Sequence, residues 1–393
     1  MYKNIYLKRG KEESLLRFHP WVFSGAIHHA DDGIQEGEVV RIVASTGDFI
    51  AVGHYQVGSI AVRVLSFSDI TIGADFWRER LAAALAMRQR IGIADNPQNN
   101  TYRLIHGEGD WLPGLVVDCY GPTAVMQAHS VGMHLCRMDI CQALADVMGD
   151  RVSQIYYKSE TTLPYKAHLE EQDGFLVGHT DDDVAVENGL KFHVDWLRGQ
   201  KTGFFVDQRE NRSLLEHYAQ GRSVLNMFCY TGGFSVYAMR GGASMVHSVD
   251  SSAKAIEVTN RNVALNFPDD RRHEAFCEDA FKFLEERKQK YDIVVLDPPA
   301  FAKHRSALHN ALKGYIRLNA KGFRLVEKGG LLFTFSCSQA VSKDQFRSAV
   351  FTAAAQSGRK VRIIHQVHQP ADHPINIYHP EGEYLKGLVL YVE

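Results

Sequence analysis

The sequence lacks the features that mark several classes of protein. None of its six cysteines forms a CxxC pair, which argues against a zinc site, and we expect no bound metal. No window approaches the roughly 20 apolar residues that a membrane span needs, and the first residues lack the apolar core of a signal peptide. We therefore predict a cytoplasmic protein with reduced thiols and no contact with membranes.

The chain also lacks a strong excess of charge of either sign. Its 44 basic residues are offset by 46 acidic ones, and the formal net charge is −2. This balance gives no sign of the broad basic surface that is typical of nucleic-acid-binding proteins, but it does not exclude a local one. Residues 1–18 do carry such a local excess, with five basic residues against two acidic ones.

The length of 393 residues predicts two or three domains. Residues 1–72 contain short runs that alternate apolar and polar residues, which predicts a small β-barrel with one short helix near Leu15. Residues 73–183 mix helical and strand patterns, including helices over 74–92 and about 133–148, and we predict a small α+β domain. Residues 170–189 are rich in acidic residues, and we interpret the run Asp181-Asp182-Asp183 among them as a solvated linker or loop.

Residues 184–393 are predicted to form a Rossmann-like α/β domain. From Ser223 onward, near-continuous apolar strands alternate with helical stretches, a pattern typical of a parallel sheet covered on both faces. In such sheets, ligands bind outside the carboxyl ends of the strands. The residues that follow each strand are therefore our candidates for a functional site.

The ends of the first three strands predict a cofactor site. The glycine turn after the first strand lacks the GxGxxG pattern that admits a pyrophosphate, which fits a cofactor without phosphates, such as S-adenosylmethionine. A carboxylate at the end of the second strand, Asp250, can accept hydrogen bonds from ribose hydroxyls, and Asp279 after the third strand suits an adenine amino group. The residues expected to contact the cofactor here are Phe228, Tyr230, Thr231, Gly232, Asp250, Ser251, Asp279, Ala280 and Phe281.

The fourth and fifth strands end in residues suited to chemistry on a flat ring. Asp297 is followed by two prolines that fix a stiff, extended turn, and Cys337 follows the fifth strand at the same edge. A thiolate that adds to C6 of cytosine makes C5 nucleophilic enough to accept a methyl group, so we expect Cys337, with a lowered pKa, and Asp297 to be catalytic. We expect Asp297 to contact the cofactor as well. The residues expected to bind the substrate are Pro298, Pro299, Phe301 and Ser336.

Over almost its whole length, the sequence resembles the bacterial ribosomal RNA large subunit methyltransferase I family. The resemblance rests on SLLRFHPWVFSG (14–25), TGFFVDQR (202–209), FCYTGGF (228–234), DPPAF (297–301), SCS (336–338), ADHP (371–374) and EYLKG (383–387). It implies formation of 5-methylcytosine in 23S ribosomal RNA from S-adenosylmethionine. It also implies an N-terminal PUA domain, a small central α+β domain and a Rossmann-like class I methyltransferase domain. A segment from Lys201 would fold over the cofactor, which adds the cofactor contacts Phe204, Asp207, Gln208 and Arg209.

Two alternatives stay open. The DPPAF sequence resembles the Asn/Asp-Pro-Pro motifs of enzymes that methylate exocyclic amines, for which no cysteine is needed. The chain would otherwise be a non-catalytic RNA-binding assembly factor that keeps the cofactor pocket. The sequence does not determine the oligomeric state, and a homodimer is one assembly that we consider.

Overall fold

The structure is a computed structural model that describes residues 2–164, 169, 173–180, 183–302 and 304–393. The chain divides into two compact units. Unit 1 comprises Met1–Gly189, Val194–Val206 and Ala371–Gly382, and unit 2 comprises Leu190–His193, Asp207–Pro370 and Glu383–Glu393. The first unit thus includes a short segment that comes late in the chain.

The N-terminal part of unit 1 is a six-stranded sheet with the order β2-β6-β5-β4-β1-β3. Its strands are β1 (Lys3–Leu7), β2 (Trp21–Phe23), β3 (Ile27–Ala30), β4 (Val39–Val43), β5 (Phe49–Tyr55) and β6 (Ile60–Ser66). The alternation of apolar residues buries Ile5, Val40 and Val62 in one hydrophobic cluster. The helix predicted near Leu15 is confirmed as α1 (Glu13–Leu16).

The rest of unit 1 combines a five-stranded sheet with three helices among its described residues. The sheet has the order β11-β10-β9-β8-β7. Its elements are α2 (Ala74–Arg90), β7 (Thr101–His106), β8 (Leu115–Tyr120), β9 (Thr123–Ala128), α3 (Val131–Leu135), α4 (Arg137–Met148), β10 (Gln154–Tyr157) and β11 (Gly174–Val177). Trp77 and Leu81 of α2 share a hydrophobic cluster with Leu144 of α4. The helix predicted over 133–148 is interrupted at Cys136, whose ψ of 6° departs from the helical value.

The interpretation of the run Asp181-Asp182-Asp183 as a linker or loop is not tested, because Asp181 and Asp182 lie outside the described residues, but residues 170–189 do contain two strands that the sequence analysis did not predict. Strand β11 and strand β12 (Val184–Glu187) lie within this stretch. Each strand has only four residues, so its alternation is too short to stand out beside the neighbouring acidic residues. Residues 170–172 and 181–182, which hold much of that acidic charge, lie outside the described residues.

Unit 2 is built on a seven-stranded sheet with the order β16-β15-β14-β17-β18-β20-β19. After β13 (Leu190–His193), its strands are β14 (Ser223–Met227), β15 (Met245–Asp250), β16 (His273–Cys277), β17 (Tyr291–Leu296), β18 (Val326–Ser336), β19 (Val361–His368) and β20 (Lys386–Val392). Its helices are α5 (Arg209–Tyr218), α6 (Gly233–Arg240), α7 (Ala253–Asn266), α8 (Ala280–Glu286), α9 (Leu308–Leu325) and α10 (Lys343–Ser357). Strands β14 to β18 pair in parallel, which confirms the predicted parallel sheet, and β20 runs antiparallel to both its neighbours.

The strand order reverses at β14, which positions the site. The chain proceeds from β14 to β15 and β16 on one side and then returns to β17 and β18 on the other. The strand ends are level, because Met227 pairs with both Val249 and Leu296, and Leu296 pairs with Thr334. In open α/β sheets the ligand crevice lies at such a switch point, outside the carboxyl ends of the strands.

A search of the helices in the described part of the chain found none with both the length and the apolar character that a bilayer crossing requires.

Candidate cofactor and substrate site

The turn after β14 holds its backbone in a conformation that few side chains tolerate. Phe228 has φ 59° and Tyr230 has φ 47°, although both carry a Cβ, and Gly232 has φ 80°. Left-handed backbone at residues other than glycine is uncommon and clusters at ligand sites. Close packing also requires the glycine, because a Cβ at Gly232 would lie 2.7 Å from Cγ2 of Thr259. The predicted cofactor residues of this turn therefore form a tight, strained loop at the switch point.

Helix α7 fixes this loop through two buried polar side chains that the sequence analysis did not select. Oγ1 of Thr259 donates to the carbonyl of Tyr230 at 2.9 Å, and Nδ2 of Asn262 donates to the carbonyl of Thr231 at 2.8 Å. Both side chains are fully buried. The sequence did contain a signal for these two residues, because they are polar, lie three positions apart and share the buried face of a helix. Buried polar groups need hydrogen-bond partners, so such a pair indicates a contact with another segment.

Asp250, the last residue of β15, joins the loop to the next strand. Its Oδ2 accepts from the backbone N–H of Tyr230 at 3.0 Å, and its Oδ1 accepts from that of Ser252 at 2.9 Å. An ionised carboxylate has about four acceptor sites, so these two bonds leave acceptor capacity for ribose hydroxyls. Ser251, predicted as a cofactor contact, is exposed beside it.

The residues after β16 lie at the start of α8. Asp279 is exposed, and one of its oxygens already caps the helix by accepting from the backbone N–H of Lys282 at 2.9 Å. Ala280 is buried, and the half-buried Phe281 has the guanidinium carbon of Arg317 at 4.3 Å from its ring centroid. Their predicted contacts with an adenine ring stay predictions.

The predicted Asp-Gln-Arg contacts are buried at the start of α5. Asp207 accepts a 2.6 Å hydrogen bond from the hydroxyl of Tyr384, and Gln208 accepts one of 2.6 Å from Nδ2 of Asn211. Arg209 is 2% exposed. These bonds hold the side chains in defined positions within unit 2.

Phe204 belongs to unit 1. Its side chain is buried, and its carbonyl accepts a hydrogen bond of 3.2 Å from the hydroxyl of Tyr120. Its predicted contact with the cofactor stays a prediction.

Asp297 directly follows β17 and is half-buried. Of the two prolines after it, Pro298 is buried and Pro299 is exposed, so the turn presents one proline to solvent. The ring of Phe301 lies 4.7 Å from that of Tyr315 at an angle of 36°, and this contact anchors the end of the turn on α9. Phe301 thus has a packing partner within the protein, whatever its contact with substrate.

Cys337 directly follows β18 and is half-buried. The serines on either side of it converge on one hydroxyl: Ser336 donates to Oη of Tyr315 at 2.8 Å, and Oη of Tyr315 lies 3.1 Å from Oγ of Ser338. Ser336 itself is fully buried.

Burial suppresses the reactivity of four other cysteines. Burial raises the pKa of Cys119 and of Cys229 to about 12, and that of Cys136 to about 11. Burial also raises the pKa of Cys141. Thiols with raised pKa values are mostly protonated near neutral pH and are poor nucleophiles. Exposed Cys277 lies at the end of β16, with its sulfur 3.7 Å from the carbonyl of Ser251.

One group of possible metal ligands occurs among the described residues, and it lies in unit 1. It consists of His19, His379 and Glu381, whose ligand atoms lie within 4.8 Å of one another. The backbone N–H of Trp21 donates to Nδ1 of His19 at 3.3 Å. A histidine bound to metal through Nε2 carries its proton on Nδ1, so this contact opposes ligation of a metal by His19.

Comparisons with known proteins find relatives along the whole chain. A family model for S-adenosylmethionine-dependent methyltransferases matches residues 170–380, and one for PUA-like domains matches residues 5–67. The ribosomal RNA large subunit methyltransferase I of Tolumonas auensis is 40% identical, over 99% of this chain and 99% of that protein. The protein of the same name from Escherichia coli O139:H28 is 38% identical, over 100% of both chains.

Solved structures share the fold. An S-adenosylmethionine-dependent methyltransferase from Streptococcus mutans has a TM-score of 0.84 at 22% identity, over 99% of this chain and 100% of that chain. A methyltransferase solved in complex with S-adenosylhomocysteine has a TM-score of 0.85 at 22% identity, with the same coverage. At this identity, the likeness establishes the fold alone.

These findings confirm the predicted fold class, a Rossmann-like methyltransferase domain with an N-terminal PUA-like domain, and S-adenosylmethionine as the cofactor. The residues at the switch point fit that cofactor, because the loop is too tight for a Cβ at Gly232 and Asp250 keeps acceptor capacity that ribose hydroxyls could use, although the individual cofactor contacts stay predictions. The domain boundaries at 72/73 and 183/184 stay predictions. From the family model and from relatives that match over the full length, the chain belongs to the ribosomal RNA large subunit methyltransferase I family.

Proposed function

We propose that this protein methylates C5 of a cytosine in 23S ribosomal RNA and that Cys337 activates the base. The names of the relatives, which specify ribosomal RNA of the large subunit, support the substrate. One observation carries the chemistry: a half-buried thiol directly follows β18, at the sheet edge where the strained cofactor loop and Asp297 also lie. An enzyme that methylates an exocyclic amine has no use for a thiol at this position.

The strand register brings the two catalytic candidates close together. Leu296 pairs with Thr334, so Asp297 is level with Phe335, and Cys337 lies two residues further along the neighbouring strand. Two residues of extended chain advance by about 7 Å, and neighbouring strands lie about 5 Å apart. This spacing leaves room for one pyrimidine between the carboxylate and the sulfur.

The residues divide a difficult reaction into easier steps. The thiolate of Cys337 adds to C6 of cytosine, which forms a C–S bond and moves the electron pair of the C5=C6 bond onto C5. When Asp297 carries a proton, it donates a hydrogen bond to N3 and stabilises the charge that develops there. S-adenosylmethionine, when bound, would supply an electrophilic methyl group to C5 and leave as S-adenosylhomocysteine, and residues of the Gly232 loop and Asp250 would hold it.

Release of the product requires a proton acceptor. Once C5 carries the methyl group, loss of the C5 proton to a base restores the C5=C6 bond and expels the thiolate. Other RNA 5-methylcytosine enzymes have a second cysteine after the proline of the fourth strand, but here Ala300 and Phe301 follow Pro299. The proton acceptor is therefore a different group or water.

We expect Cys337→Ala to abolish methyl incorporation into 23S ribosomal RNA from cells that lack the gene. The matched control is Cys136→Ala. Cys136 is also half-buried, but it lies in unit 1, so this variant should retain activity. Mass mapping of the RNA identifies the methylated nucleotide and the position of the methyl group on the base. Retained activity in Cys337→Ala, with the methyl group on an exocyclic nitrogen, would contradict the thiolate mechanism and favour amine methylation.

RNA that contains 5-fluorocytosine supplies a second test. Fluorine at C5 cannot leave as a proton, so the adduct between Cys337 and C6 should persist as a covalent protein–RNA complex. Wild-type protein should form it, and Cys337→Ala should not. Binding of S-adenosylmethionine without methyl incorporation into any ribosomal RNA would instead favour a non-catalytic assembly factor.

A 23S ribosomal RNA substrate also implies action in the cytoplasm, because bacterial ribosomes are assembled there. The homodimer stays a prediction, and sedimentation of the protein alone and with RNA would test it.

A further inference from the structure

A buried lysine lies beside the end of β18, next to Cys337, and the proposed mechanism gives it no role. Lys386 is the first residue of β20, where it pairs with Ser336 of β18, and it is 5% exposed. Burying a charged group away from water costs free energy unless partners compensate for it. An ordinary core position would carry an apolar residue, so the charge needs an explanation.

The ammonium group of Lys386 is held against the segment that follows Cys337. Nζ donates to the carbonyl of Ser338 at 2.7 Å and to that of Val341 at 2.6 Å. These bonds use two of the three N–H groups of an ammonium. They fix the cation within one residue of the thiol. A neutral amide at this position would satisfy carbonyls as well, so the carbonyls alone do not explain a cation.

Within the described part of the chain, the charged or ionisable groups that act on Lys386 are Cys337, Glu383 and Lys343. Glu383 and Lys343 pair with each other at 2.5 Å, and both are at least partly exposed, so water and their own pairing weaken their effect on Lys386. On the other side of the strand end, burial raises the pKa of Tyr315, which keeps that hydroxyl neutral. The thiol is thus the group near Lys386 whose ionisation the cation can stabilise most.

We propose that Lys386 is the counter-ion of the Cys337 thiolate and positions its negative charge for attack on cytosine. The inference rests on the proposed role of Cys337 as nucleophile. A cation held rigidly by two backbone carbonyls stabilises the thiolate before the substrate arrives and does not need to move during the reaction.

The pKa of Lys386 agrees with this arrangement. Burial lowers it to about 8, and the negative charge of Cys337 acts in the opposite direction. The interaction between two groups is reciprocal, so the ammonium lowers the pKa of Cys337. Below about pH 8 the ammonium of Lys386 is charged and stabilises the thiolate, and above that pH this stabilisation is progressively lost.

The test is the pH dependence of Cys337 alkylation by iodoacetamide in the full-length protein, followed by peptide mass analysis. Lys386→Gln keeps donors for the two carbonyls and removes the charge, whereas Lys386→Arg keeps the charge. We expect the alkylation midpoint to rise by about one pH unit in Lys386→Gln and to stay near the wild-type value in Lys386→Arg. The midpoint is the readout rather than the rate, because a more basic thiolate is also more nucleophilic.

Lys343→Gln is the matched control, because Lys343 is an exposed lysine at the start of α10 that pairs with Glu383, and its loss should leave the alkylation midpoint unchanged. Circular dichroism and affinity for S-adenosylmethionine identify variants that are folded. If Lys386→Gln does not fold, the reciprocal measurement uses Cys337→Ala: with ¹³C-labelled lysine, the NMR titration of Lys386 should shift to lower pH when the thiol is absent. Equal alkylation midpoints in wild type and folded Lys386→Gln, or an unchanged Lys386 titration in Cys337→Ala, would overturn the proposal.

The alkylation assay contains no RNA, so its outcome does not depend on methyl transfer. An unchanged alkylation midpoint in Lys386→Gln contradicts the counter-ion role of Lys386 but leaves the proposed function intact. Methylation that persists in Cys337→Ala contradicts the proposed function, even if Lys386 lowers the pKa of the thiol.

Discussion

Replacing Gly232 with alanine should destabilise the protein and weaken its affinity for S-adenosylmethionine. Gly232 has φ 80°, and a Cβ there would lie 2.7 Å from Cγ2 and 3.3 Å from Cα of Thr259. A left-handed conformation costs a residue with a Cβ about 1–2 kcal/mol. Forcing an extra methyl group into a packed region costs about 1–3 kcal/mol more. The free energy of unfolding should therefore fall by about 2–5 kcal/mol.

Gly221→Ala separates the two costs. Gly221 has φ 71°, and no heavy atom lies within 4 Å of the position of its Cβ. This variant should lose only the conformational cost of about 1–2 kcal/mol, and it should bind S-adenosylmethionine normally. In the double variant Gly232→Ala/Thr259→Ser, Cγ2 is absent while the hydroxyl that donates to Tyr230 is kept, so part of the steric cost should be recovered.

Urea unfolding followed by circular dichroism measures the stability of these variants, and calorimetric titration measures their affinity for S-adenosylmethionine. The affinity of Gly232→Ala should fall because the loop must shift by some tenths of an ångström to admit the methyl group. Equal losses of stability in Gly232→Ala and Gly221→Ala, with normal cofactor affinity in both, would refute the argument that close packing against α7 fixes the loop.

Three further substitutions or treatments test other contacts of the site. Tyr315→Phe removes the hydroxyl that accepts the hydrogen bond of Ser336 beside the thiol. Urea unfolding should show that the free energy of unfolding falls by about 1–2 kcal/mol, and methylation assays should show a lower rate. Unchanged values of both would contradict the anchoring role of Tyr315. Tyr384→Phe removes the 2.6 Å hydrogen bond that Tyr384 donates to Asp207. Calorimetry should therefore show roughly fivefold weaker binding of S-adenosylmethionine. Equal affinity in the variant and the wild type would exclude Asp207 as a cofactor contact. Because burial raises the pKa of Cys229 to about 12, only about one molecule in 10⁴ carries its thiolate at pH 8; mass analysis should find it unmodified by iodoacetamide in native protein and modified in urea.

The sheet of unit 2 could be predicted from sequence because its strands are recognisable as continuous apolar runs. Val224, Leu225, Ile293 and Val294 are all fully buried, so each strand reads as an apolar run rather than an alternation. The residues at the strand ends could be selected for the same reason, since the end of an apolar run marks the edge where ligands bind. Asp250 and Asp297 were selected in this way, and their roles stay predictions.

The residues that support the site could not be selected by the same reasoning. Thr259 and Asn262 lie on a helix about 30 residues after the loop that they hold, and their partners are backbone carbonyls, which leave no pattern in a sequence. Lys386 was visible only as part of the EYLKG segment, and at the sequence level nothing distinguishes a buried lysine from an exposed one. The strands β11 and β12 were missed because tertiary pairing stabilises segments that are too short to show a period.

The strand end around Cys337 shows why such supporting residues matter for a thiol nucleophile. Tyr315 holds the hydroxyls of Ser336 and Ser338 on one side of the backbone, and Lys386 holds the carbonyl of Ser338 at the same point. These contacts fix the residues on both sides of Cys337. If Cys337 acts as the proposed nucleophile, this support keeps the backbone in place while the sulfur forms and breaks its bond to C6, as a covalent catalyst that is regenerated in every cycle requires.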